Sequence, residues 1–158
     1  MSSFQSFSLF LLRIATGWLM FYAGVTKIID STWSAASYLQ GAKTFPAFFQ
    51  WFLQPGALPM INFVNEWGLT LLGVSLILGI FVRFSSLLGV LLMLLYYFPV
   101  LDFPYPNVHS YIVDEHIIYA LALLVLGAFR AGRVWGLEEW CSNLPICRRF
   151  PQYRRWLG

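Results

Sequence analysis

The sequence predicts an all-α fold: a four-transmembrane-helix bundle, with interfacial helices in the first outer connection and an amphipathic C-terminal tail. Three observations carry that expectation. Of the 158 residues, 59% are apolar and 19% aromatic, and only 11% are charged, against roughly a quarter in soluble domains. Several apolar stretches are long enough to cross a hydrocarbon layer of about 30 Å. The charges that bracket them, Arg13 with Lys27, Glu66 with Arg83, Arg83 with Asp102 and Asp114 with Arg130, are spaced by about 21 to 28 Å at 1.5 Å per helical residue. Each bracketing pair can therefore reach opposite interfaces.

The first span is expected over residues 7–29, the second over 64–81, the third over 84–100 and the fourth over 113–129, in one membrane domain of residues 1–133. Val82 and Arg83 leave room only for a tight turn, so the second and third spans form an antiparallel hairpin. The first segment reads as a retained span and not a cleaved leader. No basic region precedes it, Arg13 lies within it, and no small-residue cleavage site follows.

Residues 31–61 are too long for a turn and are rich in aromatics: Trp33, Tyr38, Phe45, Phe48, Phe49, Trp51 and Phe52, with Pro46, Pro55 and Pro59 as breaks. Two short helices at headgroup depth fit this pattern, capping the outer side either as an aromatic belt or as part of a ligand site. The tail, residues 134–158, combines Trp135, Trp140 and Trp156 with the pairs Arg148–Arg149 and Arg154–Arg155. It reads as an anchor on anionic lipid or a protein-docking surface. This tail accounts for the net charge of +3, and nothing points to nucleic acid.

Four spans put both termini on one side, where Arg13, Arg83, Arg130, Arg133 and the tail arginines lie, opposite Lys27 and Lys43. The positive-inside rule makes that side cytoplasmic. Cys141 and Cys147 then sit in a reducing compartment, and their spacing is neither a redox pair nor a zinc half-site. No metal site is expected. A haem is disfavoured too, because the two histidines, His109 and His116, lie seven apart on one segment and cannot ligate one iron from opposite sides. No flavin fingerprint is present, so any electrons must come from a bound quinone or a partner subunit.

Ionisable groups converge at the outer end. Lys27 closes the first span, Asn65 and Glu66 open the second, and Asp114, Glu115 and His116 open the fourth. Such groups at the edge of a low-dielectric bundle can pair and pass protons, as a quinone or coupled-ion site requires. Glu66 and His116 are the candidate proton carriers. Lys27 is the candidate counter-charge, and Asn65 and Asp114 join it as candidate ligand-binding residues. The helix macrodipole alone also favours acids at helix starts and bases at helix ends, which is the competing reading of Glu66, Asp114 and Glu115. Arg13, about six residues into its span with no acid at matching depth, is expected to snorkel to cytoplasmic phosphate, the alternative being a ligand headgroup. Gly17 and Gly24, Gly73 and Gly79, and Gly89 suit close helix approach.

On these residues the chain resembles the DoxX family of small four-helix membrane proteins. RIATGWLMFYAGVTKIID carries that family's Arg, Gly, Gly and Lys as Arg13, Gly17, Gly24 and Lys27. NEWGLTLLGVSLILGIFVRFSS carries its Glu, Gly, Gly and Arg as Glu66, Gly73, Gly79 and Arg83, and AGRVWGLEEW is similar to its closing motif through Gly132, Arg133, Leu137 and Glu138. The resemblance covers about residues 9–138, and the aromatic outer connection is longer than in a compact member, which suggests a lipid or partner contact of its own.

The resemblance implies a subunit of a quinone-linked oxidoreductase of the respiratory chain in a prokaryotic inner membrane, holding or docking beside quinone. It also implies partner subunits or a homo-oligomer. The alternatives are a non-catalytic accessory subunit of a larger membrane complex and a small proton-coupled transporter, which wants a carboxylate deeper in a span than Glu66.

Overall fold

The computed structural model describes residues 1–138. These are helical throughout apart from turns and two isolated bridge pairs, in the order α1 Ser3–Ile29, α2 Ala36–Gln40, α3 Pro46–Trp51, α4 Leu58–Leu78, α5 Val82–Val100 and α6 Glu115–Ala128, then a 3-10 turn at Ala131–Arg133. Among them α1, α4 and α5 are long and apolar enough to cross a bilayer. α6, at 14 residues, is about 21 Å long, shorter than the hydrocarbon layer.

α1 begins on a capping box in which the Ser2 hydroxyl accepts from the Gln5 amide and the Gln5 side chain accepts from the Ser2 amide. α4 starts six residues before the expected position. Pro59, expected as a break, sits in its first turn, where its missing N–H forfeits no helical bond and its fixed φ suits the helix. The α4–α5 turn is made by Gly79 and Phe81, both left-handed at φ 68° and 57°. Ser75 Oγ braces it, reaching the Ile80 carbonyl at 2.6 Å and Ser85 Oγ at 2.7 Å.

α1 packs antiparallel on α4, and α5 on α6. Glycine sets the first of these interfaces. A Cβ on Gly24 would stand 2.4 Å from the Thr70 amide nitrogen, and one on Gly73 would stand 2.3 Å from that of Phe21. The backbones thus approach more closely than any side chain allows, which is how helices in lipid gain packing without a hydrophobic drive. Leu9, Met20, Leu69, Leu72, Leu76, Met93 and Leu123 fill the core between the pairs.

Arg13 overturns its expectation: it does not snorkel, but is 1% exposed. Its guanidinium donates to the Ala131 carbonyl at 2.8 Å and the Trp135 carbonyl at 3.2 Å. There is room for it because Gly79 and Gly136 carry no Cβ, which would fall 2.2 and 2.4 Å from Nη1. Residues 134–138, assigned from sequence to the tail, belong to this clamp. The Trp135 ring packs edge-on against Phe10 at 5.3 Å, and the Leu137 amide donates to the Leu78 carbonyl at 3.0 Å, satisfying an end carbonyl of α4. The Arg13 guanidinium is thus held by two protein carbonyls brought to it from 118 and 122 residues away, while its Nε is buried without a hydrogen-bond partner among the described residues. Cys141, Cys147, Trp140, Trp156 and the arginine pairs of the tail lie outside the described residues.

The α1–α4 connection forms a cap with a small core of its own, Ala35, Leu39, Ala42 and Phe49. It is tied to α4 through Asn62, whose Oδ1 accepts from the Ala35 amide at 3.0 Å. It is tied to the end of α5 by the Tyr38 hydroxyl on the Tyr96 carbonyl and the Lys43 amide on the Pro99 carbonyl at 2.9 Å.

Candidate functional site

Under this cap, at the end of the bundle remote from the N-terminus, lies a chamber of about 310 Å³, within the lower range of small-molecule sites. Lys27, Trp33, Tyr38, Asn65 and Tyr96 give its wall polar character, and Phe49, Phe52, Ile61 and Leu92 are among its apolar lining.

Lys27 falls in the last turn of α1, where a base opposes the negative end of the helix. Its ammonium donates to the Ala23 carbonyl at 2.9 Å and stands 5.4 Å from the centre of the Trp33 ring. The turn that delivers Trp33 is local: the Asp30 carboxylate accepts from the Thr32 hydroxyl at 2.6 Å and amide at 3.0 Å, and the Asp30 carbonyl accepts from the Trp33 amide at 3.0 Å. The bonds from Thr32, hydroxyl first, hold the Asp30 carboxyl below its usual range. An ammonium has three donors, and Lys27, which lines the chamber, gives one to Ala23 and makes no other hydrogen bond among the described residues.

On the opposite wall the Tyr96 hydroxyl donates to Asn65 Oδ1, and the Asn65 amide donates to the Ile61 carbonyl at 2.7 Å. The Tyr96 ring stacks on His116, with centroids 5.7 Å apart and planes 16° apart. Asp114 is the N-cap of α6, its Oδ1 accepting from the His116 and Ile117 amides at 3.0 and 3.2 Å. Its Oδ2 takes His116 Nδ1 at 2.7 Å. A carboxylate partner puts the proton on Nδ1 and leaves Nε2 as the acceptor. Burial, followed by the neighbouring Tyr96, Asp114 and Glu115 charges, pushes the Tyr38 hydroxyl far above its ordinary value, so it remains a donor.

The residues grouped from sequence therefore divide. Lys27 and Asn65 line the chamber, and Asp114 and His116 stand behind it, joined to it by the Tyr96 ring. Glu66 is half-buried on α4 with its backbone carbonyl against Gly24, and its carboxylate makes no hydrogen bond among the described residues. Glu115 is exposed beside the cap; its carboxylate lies within 4.8 Å of the ligand atoms of Asp114 and His116. Arg13 lies at the far end of the molecule, in the clamp described above. The sequence did not single out Tyr96, because a Tyr-Tyr pair closing an apolar span looks like a membrane-interface aromatic. Tyr38 was legible only as one aromatic of the belt.

A second cavity adjoins the chamber. It is a groove of about 580 Å³ along the seam of α4 and α5, and Val64, Leu92 and Leu95 line both. Its walls are aliphatic, phenylalanine and glycine residues, apart from Ser75 and Ser85, which bond each other, and its rim residues Leu71, Leu88 and Leu91 are exposed. The arrangement offers a largely apolar chamber with one cationic donor group, Lys27, beside a hydrocarbon-lined groove open at the side of the bundle.

The sequence profile of the DoxX family matches residues 8–101, more than half of the chain. No curated protein and no solved structure shows a significant match.

Proposed function

The chain belongs to the DoxX family, and on that premise we propose that this membrane protein holds a quinone, its head in the capped chamber, as the membrane subunit of a quinone-linked oxidoreductase. In this reading α6 and its flanking residues complete a fourth crossing, and α2 and α3 lie at the membrane interface. Arg13, Arg83, Arg130 and Arg133 mark the cytoplasmic end and Lys27 and Lys43 the outer one.

The observation that carries the proposal is a chamber with one cationic donor group, Lys27, adjoining an apolar groove, which suits an amphiphile with acceptor oxygens at one end. The unpartnered Lys27 donors suit a ring carbonyl, and Trp33 and Phe52 offer flat apolar walls to a planar head. A bound quinone would supply two-electron, two-proton redox chemistry. Lys27 orients the head, and the Tyr96–Asn65 pair and Tyr38 fix the shape of the opposite wall. His116, oriented by Asp114 and stacked behind Tyr96, is the candidate proton carrier beside the chamber.

The test is native mass spectrometry of the full chain gently extracted from its own membrane, with organic extraction of the same sample for quinone. About one quinone per chain is expected, with a loss of at least ~10-fold in occupancy for Lys27→Met. A stoichiometric complex of several chains that carries no quinone on this one would make it an accessory subunit instead. A chain that neither retains quinone nor takes it up when quinone is added overturns the proposal.

A further inference from the structure

We infer that the α4–α5 groove is the seat of a single polyprenyl tail, which leaves the chamber past Gly68 and lies along the lipid-facing side of the bundle. This rests on the quinone reading above and specifies its ligand as a long-tailed, membrane-resident molecule and not a water-soluble analogue.

Continuity is the first argument. Val64, Leu92 and Leu95 belong to both cavities, so a molecule with its head beside Lys27 and Asn65 can reach the groove without crossing a polar wall. Shape is the second. Fourteen residues of α4 separate Val64 from Leu78, both on the groove, which is about 21 Å of hydrocarbon-lined path. The groove has a continuous floor where Leu72 meets Gly89, and a Cβ on Gly89 would stand 2.8 Å from Leu72 Cδ2. Polarity is the third. The two hydroxyls in the groove are spent on each other and on the Ile80 carbonyl, leaving nothing there for a headgroup or a peptide to bond.

Gly68 lies on the groove near its junction with the chamber, four residues beyond Val64, and nothing stands within 4 Å of where its Cβ would be. Glycine in a helix interior costs about 1 kcal/mol relative to alanine, and the open space beside this one is what an entering chain needs. A Cβ placed there meets no protein atom, and a larger side chain on it projects into the groove.

The experiment uses the full chain in lipid nanodiscs and compares a long-tailed quinone with a tailless quinone of the same head, for wild type, Gly68→Ala and Gly68→Phe. A photoreactive group on the tail maps its position. Wild type is expected to bind the long-tailed form at least ~10-fold more tightly, with the label on Phe84 or Leu88. Gly68→Phe should bring the two affinities within ~2-fold, lose the label and leave the tailless affinity unchanged, while Gly68→Ala behaves as wild type.

If both quinones bind and Gly68→Phe changes neither affinity nor labelling, the tail path is overturned and the head site stands. If the wild-type chain binds neither, the quinone reading falls and takes this inference with it. Disulfide-linked dimers of Leu88→Cys in native membranes would show the groove filled by a second copy, which also overturns it.

Discussion

Replacing Arg13 with methionine removes the charge and both donors while keeping an unbranched side chain of similar length. Two charge-assisted hydrogen bonds, to the Ala131 and Trp135 carbonyls, are lost at a site that is 1% exposed. Bonds to charged groups contribute about 1.5–3 kcal/mol each, and the Trp135 carbonyl, left without its partner, costs about 1–3 kcal/mol, while the Ala131 carbonyl keeps the Val134 amide at 3.1 Å. Against this, the variant no longer buries a guanidinium, and that offset runs to several kcal/mol. The expected net loss is ~3 kcal/mol, which for a chain of this size lowers the unfolding midpoint by roughly 6–12 °C. The damage should be local first, because the bonds tie the 3-10 turn and residues 134–137 to α1. Hydrogen exchange should show the Leu137 amide, bonded to Leu78 at 3.0 Å, losing protection before the core of α1 and α4. Arg13→Lys keeps a charge but not the planar fork, and should fall between the two. If Arg13→Met unfolds within ~1 kcal/mol of wild type and leaves residues 131–137 equally protected, the clamp is not what holds that segment.

Gly73→Ala should destabilise by ~2 kcal/mol in the same unfolding assay despite the gain in helix propensity, because its Cβ would lie 2.3 Å from the Phe21 amide nitrogen; an unchanged or raised midpoint would refute the close approach. Asp114→Ala should cost ~1 kcal/mol through the lost cap of α6, whereas Asp114→Asn keeps the cap and stays within ~0.5 kcal/mol. The asparagine variant should nevertheless shift the His116 tautomer balance read by nitrogen NMR, since the charged partner 2.7 Å from Nδ1 is gone. Burial raises the Glu138 carboxyl above its ordinary value, offset in part by Arg133, Arg130 and Arg13. A raised acid binds its proton more tightly when folded, so this group's contribution is greatest at low pH and declines as pH rises from about 4.3. Glu138→Gln should flatten that decline in a pH series of unfolding midpoints, and an unaltered slope would count against the burial argument.

Much of the architecture was legible because lipid imposes a strong rule: every spanning segment must satisfy its own backbone and present apolar side chains. That rule located α1, α4 and α5 from composition alone and grouped Lys27, Asn65, Asp114 and His116 at one end. It gave α4 the wrong start, because Pro59 is a break in a helix interior but a natural residue of a first turn. It also misplaced Arg13. Hydropathy sees the cost of a charge in lipid, but not the carbonyls that two turn segments bring to it from 118 and 122 residues away.

Of the chamber's lining, Lys27 and Asn65 were legible in the sequence and the aromatics were not. Tyr96 and Tyr38 have no local signature, since an aromatic at a membrane edge has the same sequence neighbours whether it faces lipid or a chamber. Glu66 and Asn65 are adjacent in sequence, yet a helix turns by about 100° per residue, and Asn65 lines the chamber while Glu66 does not.

By itself, then, the sequence determined a helical membrane protein of the DoxX pattern, with arginines at one end and a polar cluster at the other, because periodicity, length and charge spacing are properties of single segments. Only the tertiary structure decided which members of that cluster meet, that the connection after α1 closes over them, and that a groove along α4 and α5 adjoins the same chamber. Cavities and stacked rings exist between elements, and the distances that create them depend on how closely glycines such as Gly24 and Gly73 let two backbones approach.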